Sequence, residues 1–186
     1  MNDTINSKER VLRFFNKQEI DRVPLFSGFG NVTVHGLEEF GYRFADIHVD
    51  AAKMADVAAT TYKSFGLECA VVPFDMGVEA EALGAGVNFY SHRDDVVYPT
   101  ITQKVSDKVA DLDLSKLPTD LTNAGRIPMV CEAISRLKKD VGNELAIGSW
   151  TLGPYTLAGQ LLDIGDLAKM ATKKKDLVNP DRKSVV

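Results

Sequence analysis

One apolar stretch that ends in a carboxylate constrains this sequence more than any other feature. Residues 69–74 read CAVVPF, and Asp75 follows directly. A continuous apolar run of this length is typical of a strand that is covered on both faces, as in a parallel sheet. Parallel α/β proteins build their sites at the carboxyl ends of such strands. We therefore predict that Asp75 lies at the functional edge of a sheet.

Hydrophobic periodicity predicts the elements on either side of this strand. We expect strands at 21–26, 69–74 and 145–150, and helices at 7–16, 50–65, 125–141, 155–162 and 166–176. The pattern leaves segment 34–44 open between a helix and a loop. Helices that alternate with strands across long connections are typical of a (β/α) barrel. A complete barrel needs about eight strands and roughly 250 residues, so 186 residues predict a partial barrel of the α/β class.

The last six residues, DRKSVV at 181–186, have an unusual property. A DNA string that matches the start of a widely used sequencing-library adapter can encode them. We therefore interpret residues 1–180 as one native domain part and residues 181–186 as a non-native tail.

Composition narrows the class of protein. A formal net charge of −4 argues against a nucleic-acid partner, which usually leaves a basic footprint. No apolar stretch approaches the roughly 20 residues of a membrane span, and the amino terminus lacks the apolar core of a signal peptide. The two cysteines are far apart, which favours reduced thiols. We expect a cytoplasmic protein without a membrane partner.

Four stretches occur in order along the chain. They are ERVL with DRVP (9–12 and 21–24), VPFDMGVEAEALGAGV (72–87), GRIPMVCEAISRLKKDVG (125–142) and GSWTLGPYTLAGQLL (148–162). Together they resemble the amino-terminal half of the uroporphyrinogen decarboxylase superfamily. That resemblance implies a (β/α)8 TIM barrel, present here as an amino-terminal partial barrel.

The resemblance covers two chemistries, and one residue pattern separates them. The decarboxylases remove carboxylates from a tetrapyrrole without a cofactor, and they carry an arginine-rich RQAGRY-type motif after the first strand. Here that region, 25–31, reads LFSGFGN and has no arginine. Gln160 also falls near the place of a family tyrosine. A substrate with many carboxylates needs cationic partners.

The closer resemblance is therefore to the methylcobalamin:coenzyme M methyltransferases and related corrinoid-dependent methyltransferases. It implies transfer of a methyl group from a methylated corrinoid to a small thiol. The corrinoid would be free methylcobalamin or one held by a corrinoid protein. Two alternatives stay open: a cofactor-free decarboxylase of porphyrin biosynthesis, and a non-catalytic domain that binds a corrinoid or a partner protein.

Enzymes of the methyltransferase branch bind zinc through a His-x-Cys pair and a later cysteine, and zinc keeps the acceptor thiol as a thiolate. This sequence contains no His-x-Cys. The resemblance thus implies that the zinc ligands belong to the carboxyl half of a full-length protein. We expect the 186-residue chain alone to bind no catalytic zinc and to be inactive.

The resemblance also implies candidate site residues, of which Asp75 is the candidate catalytic residue, in a position to orient the substrate or face the corrinoid. Asp75 matches an aspartate that faces the barrel mouth in the decarboxylases, where it hydrogen-bonds pyrrole nitrogens; a helix cap is the alternative. Phe74, Glu79 and Tyr155 are candidates for substrate binding, although a solvated Glu79 and a Tyr155 packed in the core remain open.

Four further residues are interpreted as structural. We expect Arg126 to be a surface or structural residue at a helix start and His48 to have no role as a metal ligand. We expect Trp150 to pack within the barrel and Cys131 to be buried in an apolar environment within a helix.

Overall fold

The computed structural model of the chain describes residues 3–173. The elements in this range, in order, are α1 (Ser7–Phe15), α2 (Val34–Phe40), α3 (Ala51–Phe65), β1 (Cys69–Val72), α4 (Val78–Ala82), β2 (Gly86–Asn88), β3 (Thr100–Gln103), α5 (Ile127–Asp140), β4 (Ala146–Ser149), α6 (Pro154–Leu161) and α7 (Ile164–Lys173). The last three residues of the final predicted helix and the predicted tail at 181–186 lie outside the described residues.

The centre of the fold is a parallel pair of strands. β1 and β4 pair in register from Cys69 opposite Ala146 to Val72 opposite Ser149. All four residues of β1 are buried, as its continuous apolar pattern predicts. The predicted α/β class is confirmed, with helices on the parallel strands as in a partial barrel. Both strands end at the same edge, so the residues that follow them meet there.

The strand predicted at residues 21–26 does not form. The chain runs beside β1 there, and the amide of Glu68 donates to the carbonyl of Leu25 at 2.8 Å. Pro24 has no amide hydrogen, and the amide of Leu25 donates to the Glu68 carboxylate at 2.8 Å instead of to a strand. The prediction was wrong because a side chain distant in sequence takes the backbone donor that a ladder would need.

Helix ends follow the expected capping chemistry in α3. The Asp50 carboxylate accepts the amides of Ala52 and Lys53, and Gly66 closes the helix at a φ of 71°. The helix predicted from residue 7 begins there as α1, and its N-cap is Asn6, whose amide oxygen accepts the amide of Glu9 at 2.8 Å. The open segment 34–44 contains the short helix α2.

An antiparallel hairpin of β2 and β3 stands apart from the parallel pair. The sequence did not predict β3 as a strand, since three of its four residues are exposed and carry no apolar alternation. Segment 107–117 contains two short 3-10 turns, at Val109–Asp111 and Leu114–Lys116.

The main core lies between α3, α5 and the parallel strands. Met54, Val57 and Val72 are fully buried in it, together with Leu145, which immediately precedes β4. A second, smaller cluster joins α6 and α7 to the region around the hairpin through Leu161, Leu162 and Leu167 among others. The two clusters fix the helices on either side of the carboxyl edge of β1 and β4, where the site lies.

Candidate functional site

Asp75 follows β1 and accepts four hydrogen bonds. Its Oδ1 accepts the Gly77 amide at 2.9 Å and Nη2 of Arg126 at 3.0 Å. Its Oδ2 accepts Nη1 of Arg126 at 2.8 Å and lies 2.9 Å from Nδ1 of His48. An ionised carboxylate offers about four acceptor positions. All of them are occupied by donors of the chain itself.

This environment keeps Asp75 ionised. Burial by itself would raise the pKa of the carboxyl group, but the hydrogen bonds from His48 and Arg126 outweigh it and hold the pKa well below its ordinary value. The Asp75 side chain is almost inaccessible to solvent. Asp75 is therefore a fixed, compensated anion in the wall of the site and not a proton acceptor near neutral pH.

His48 comes from the short 3-10 turn before α3 and is buried. Its ring lies edge-on to three aromatic rings: Phe44 at 4.9 Å, Tyr98 at 6.1 Å and Phe74 at 6.3 Å between centroids. With Nδ1 directed at Asp75, Nε2 is buried and has no partner among the described residues. The aromatic rings and the carboxylate fix the orientation of the imidazole.

Arg126 immediately precedes α5, and its side chain is buried. Beyond Asp75, it donates to the Glu81 carboxylate and to the His48 carbonyl oxygen at 3.1 Å. Its guanidinium lies over the Phe89 ring at 4.6 Å from the centroid. The structure excludes the surface alternative for Arg126: the residue is buried and is the cation that compensates the Asp75 carboxylate.

A cleft of about 740 Å³ opens at the carboxyl edge of the parallel strands. Asp75 and Phe74 line it after β1, and Trp150 lines it after β4. Aromatic and apolar side chains form most of its wall. The other lining residues are Phe29, Gly30, Met76, Gly77, Tyr98, Pro99, Thr100, Ile101, Lys104, Gly159 and Gln160.

The four site residues predicted from the sequence do not lie together. Phe74 and Asp75 share the cleft. Glu79 instead lines a separate groove of about 370 Å³, where its Oε1 accepts the Leu152 amide at 3.0 Å. Tyr155, in the first turn of α6, is 55% exposed and lines neither the cleft nor this groove.

Two residues expected to be structural also differ from that expectation in their surroundings. Trp150 lines the cleft, and its Nε1 donates to the Pro73 carbonyl oxygen at 2.9 Å. Cys131 is exposed on α5 and not buried. The sequence patterns predict which face of α5 is apolar, but they did not predict that Cys131 lies on an exposed part of the helix.

An ion-pair cluster occupies the opposite, amino-terminal end of β1. Arg10 is fully buried, pairs with Glu68 just before the strand and donates from Nε to Asp21 at 2.7 Å. Arg22 joins through two bonds to Glu68, of 3.0 and 3.1 Å. The ERVL and DRVP motifs thus supply this cluster. Residues at the amino end of barrel strands serve stability, whereas sites lie at the carboxyl end.

The described residues do not fit a zinc ion. Residues 3–173 bring no three His, Cys, Asp or Glu side chains together as ligands. Cys69 is buried against the backbone of Ser27, and Cys131 lies on the outer part of α5. Nothing in the same range has both the helical length and the apolar character that crossing a bilayer requires.

Comparison with known proteins places these features in context. Residues 6–180 match the sequence profile of the family described as uroporphyrinogen decarboxylase (URO-D). The methylcobamide:CoM methyltransferase MtbA of Methanosarcina acetivorans is 34% identical over 151 residues, which cover 81% of this chain and 43% of that protein. MtaA of Methanosarcina barkeri, with the same described activity, is 31% identical over 170 residues, covering 91% and 49%.

A uroporphyrinogen decarboxylase is a more distant relative. The enzyme of Vibrio cholerae is 24% identical over 174 residues, covering 91% of this chain and 46% of its own length. A solved structure, a methyltransferase from Methanosarcina mazei, superposes with a TM-score of 0.83 at 29% identity, over 95% of this chain and 51% of that one. The chain spans about half the length of the relatives it matches.

Proposed function

Because the chain belongs to the uroporphyrinogen decarboxylase (URO-D) family, we propose that it forms the amino-terminal half of a methyltransferase. The enzyme would move a methyl group from a methylated corrinoid to a thiol such as coenzyme M. Relatives described as methylcobamide:CoM methyltransferases, at 31–34% identity, support this branch over the decarboxylases at 24%. We also propose that residues 1–180 are the native part of this half and that 181–186 are a non-native tail.

The occupied acceptor positions of Asp75 are the observation that carries the proposal. A decarboxylase of this family would use this aspartate to accept hydrogen bonds from pyrrole nitrogens. Here Arg126, His48 and the Gly77 amide already fill the positions that such donors would need. The absence of arginine from segment 25–31 points the same way, since a polycarboxylate substrate needs cations.

The compensated anion also suits the methyl-transfer reaction. In that reaction the thiolate sulfur attacks the methyl carbon, the sulfur–carbon bond forms, and the carbon–cobalt bond breaks with its electron pair left on cobalt. An unpaired carboxylate in the wall would repel the thiolate. Arg126 pairs with Asp75 and also with Glu81, so its positive charge weakens that repulsion at the cleft wall. We assign Asp75 the role of orienting the substrate at the cleft wall.

Substrate contacts follow from the cleft. We propose that Phe74 packs against the corrinoid or thiol, since it lines the same wall as Asp75. Glu79 and Tyr155 remain proposed substrate-binding residues, but they lie outside this cleft, so their contacts would need segments that complete the barrel. The methyl donor would be free methylcobalamin or a corrinoid protein.

We propose that zinc is bound only by the full-length protein. The described residues do not fit the ion, and the ligands would come from the carboxyl half. The 186-residue chain alone is expected to be inactive.

The experiment that tests this function uses the protein encoded by the uninterrupted gene. It is incubated in parallel with methylcobalamin plus coenzyme M and with uroporphyrinogen, and its zinc content is measured. We expect demethylation of the cobalamin in the first reaction and no loss of carboxylates in the second. Decarboxylation would establish the alternative enzyme, whereas corrinoid binding without either reaction would establish a non-catalytic binding domain.

A further inference from the structure

The polar side chains that line the cleft differ in how far their hydrogen bonding is satisfied. Asp75 is fully occupied, and Trp150 donates to a backbone carbonyl. The Thr100 hydroxyl lies 2.8 Å from the hydroxyl of Tyr90. Tyr98 is half exposed and can reach solvent. Each of these four groups therefore has a hydrogen-bond partner or access to solvent without a ligand.

Lys104 has its partners in the helix next to the cleft. Its Nζ donates to the Gly159 carbonyl oxygen at 2.8 Å and to the Leu162 carbonyl oxygen. Both carbonyls belong to the carboxyl end of α6, where a cation is favourable. Lys104 thereby fixes the last turn of α6 against β3.

Gln160 lies in that fixed last turn and differs from the other polar groups. Its Oε1 is buried and accepts no hydrogen bond within the described residues, although the side chain lines the cleft. A buried acceptor without a donor is destabilising, because it has lost its hydrogen bonds to water and gained none in return. A ligand that brings an N–H group to this point would remove that destabilisation.

We propose that Gln160 determines specificity for the methyl donor by accepting a hydrogen bond from a carboxamide at the rim of the corrin ring. This inference rests on the proposed methyltransferase function. A corrin ring is broad and apolar on its faces and carries amide N–H groups at its edge, which matches a cleft walled by Phe29, Phe74 and Trp150. Coenzyme M has a sulfonate and a thiolate but no N–H donor, so the acceptor selects the corrinoid and not the thiol.

The test compares two variants of the protein from the uninterrupted gene, Gln160→Met and Gln160→Glu. Methionine keeps the volume but removes the acceptor, whereas glutamate keeps an acceptor oxygen. We expect Gln160→Met to weaken cobalamin binding, measured by titration calorimetry, about tenfold, which corresponds to one lost hydrogen bond. Gln160→Glu retains most of the affinity. The KM for methylcobalamin rises in parallel in Gln160→Met, and the KM for coenzyme M is unchanged.

Gln103→Met is the matched control, because Gln103 is an exposed glutamine on β3 that does not line the cleft. It should bind cobalamin like the wild type. Circular dichroism and thermal melting verify that each variant is folded. Unchanged cobalamin affinity in a folded Gln160→Met variant overturns the inference and leaves the methyltransferase proposal intact. A change in the KM for coenzyme M alone also overturns the inference. If the wild-type protein itself binds no cobalamin, the proposed methyltransferase function is wrong, whatever the Gln160 variants show.

Discussion

Arg126 and Asp75 form a two-point ion pair across 51 positions of sequence, with Nη1 2.8 Å from Oδ2 and Nη2 3.0 Å from Oδ1. The pair is buried at the carboxyl edge of β1. Parallel contacts of this kind fix both position and orientation of the carboxylate. The pair therefore sets the geometry of the cleft wall as well as its charge.

Removing the cation should leave an uncompensated buried carboxylate. We predict that Arg126→Met lowers the free energy of unfolding by about 3–5 kcal/mol, measured by urea denaturation of the protein from the uninterrupted gene. The control is Arg136→Met, which breaks an exposed pair with Glu132 on the same helix and should change stability little. Equal effects of the two substitutions would contradict the assigned role of Arg126.

The depressed pKa of Asp75 predicts a specific dependence on pH. A carboxyl group with a lowered pKa in the folded state stabilises the fold above its unfolded value, ordinarily 3.8, and loses this contribution as the pH falls through the folded value. The stability difference between wild type and Asp75→Asn should stay constant from about pH 5 to 7 and shrink below about pH 4.

The same measurement in an Arg126→Met background provides the control for this pH dependence. The His48 hydrogen bond still lowers the pKa of Asp75 there, but the hydrogen bond and charge of Arg126 no longer do, so the stability difference should shrink less at acidic pH. In the protein with Arg126 intact, a stability difference that instead grows as the pH falls would show that Asp75 is not held ionised by its partners.

Two neighbouring glycines offer a test of the close packing under the cleft. A Cβ at Gly30 would lie 2.5 Å from the Pro73 carbonyl oxygen and 2.7 Å from a ring carbon of Phe74. Gly30→Ala should therefore destabilise the protein by about 1–3 kcal/mol and weaken cobalamin binding. A Cβ at Gly28 would meet nothing within 4 Å, so Gly28→Ala should be close to neutral. Melting and binding measurements on both variants check the pair.

The ion-pair cluster at the amino end should affect stability but not binding. Glu68→Gln removes the charge that pairs with buried Arg10 and with Arg22. We expect a lower urea midpoint than in Arg136→Met, with unchanged cobalamin affinity in the folded protein, because the cluster is at the opposite end of β1 from Asp75. If Glu68→Gln loses cobalamin affinity without losing stability, the assignment of the amino end of β1 to stability and of its carboxyl end to binding is contradicted.

Local patterns predicted the elements whose signals are local. The apolar runs predicted β1 and β4 to within two residues at each end, and the helix predicted at 50–65 is α3, which Asp50 and Gly66 bound. The strand at 21–26 failed because Glu68, more than 40 positions away, takes the Leu25 amide. A side chain from elsewhere in the chain can replace a ladder bond, and no local pattern reports it.

The same limit applies to the site. The end of an apolar strand located Asp75 at the carboxyl edge, but its partners come from 27 and 51 positions away. A buried carboxylate needs compensating donors, but the sequence does not name them. It did not indicate that the cation is Arg126 or that the neighbouring donor is His48. Gln160 carried a signal only as a departure from a family tyrosine.

The most direct test of the proposed methyl transfer follows the methyl group itself. The proposed full-length protein, purified in the presence of zinc, is incubated with ¹³C-methylcobalamin and coenzyme M, and the label is followed by NMR. We predict that the ¹³C-methyl signal moves from cobalt to the sulfur of coenzyme M. A signal that remains on cobalt while the same preparation removes carboxylates from uroporphyrinogen would contradict the proposal.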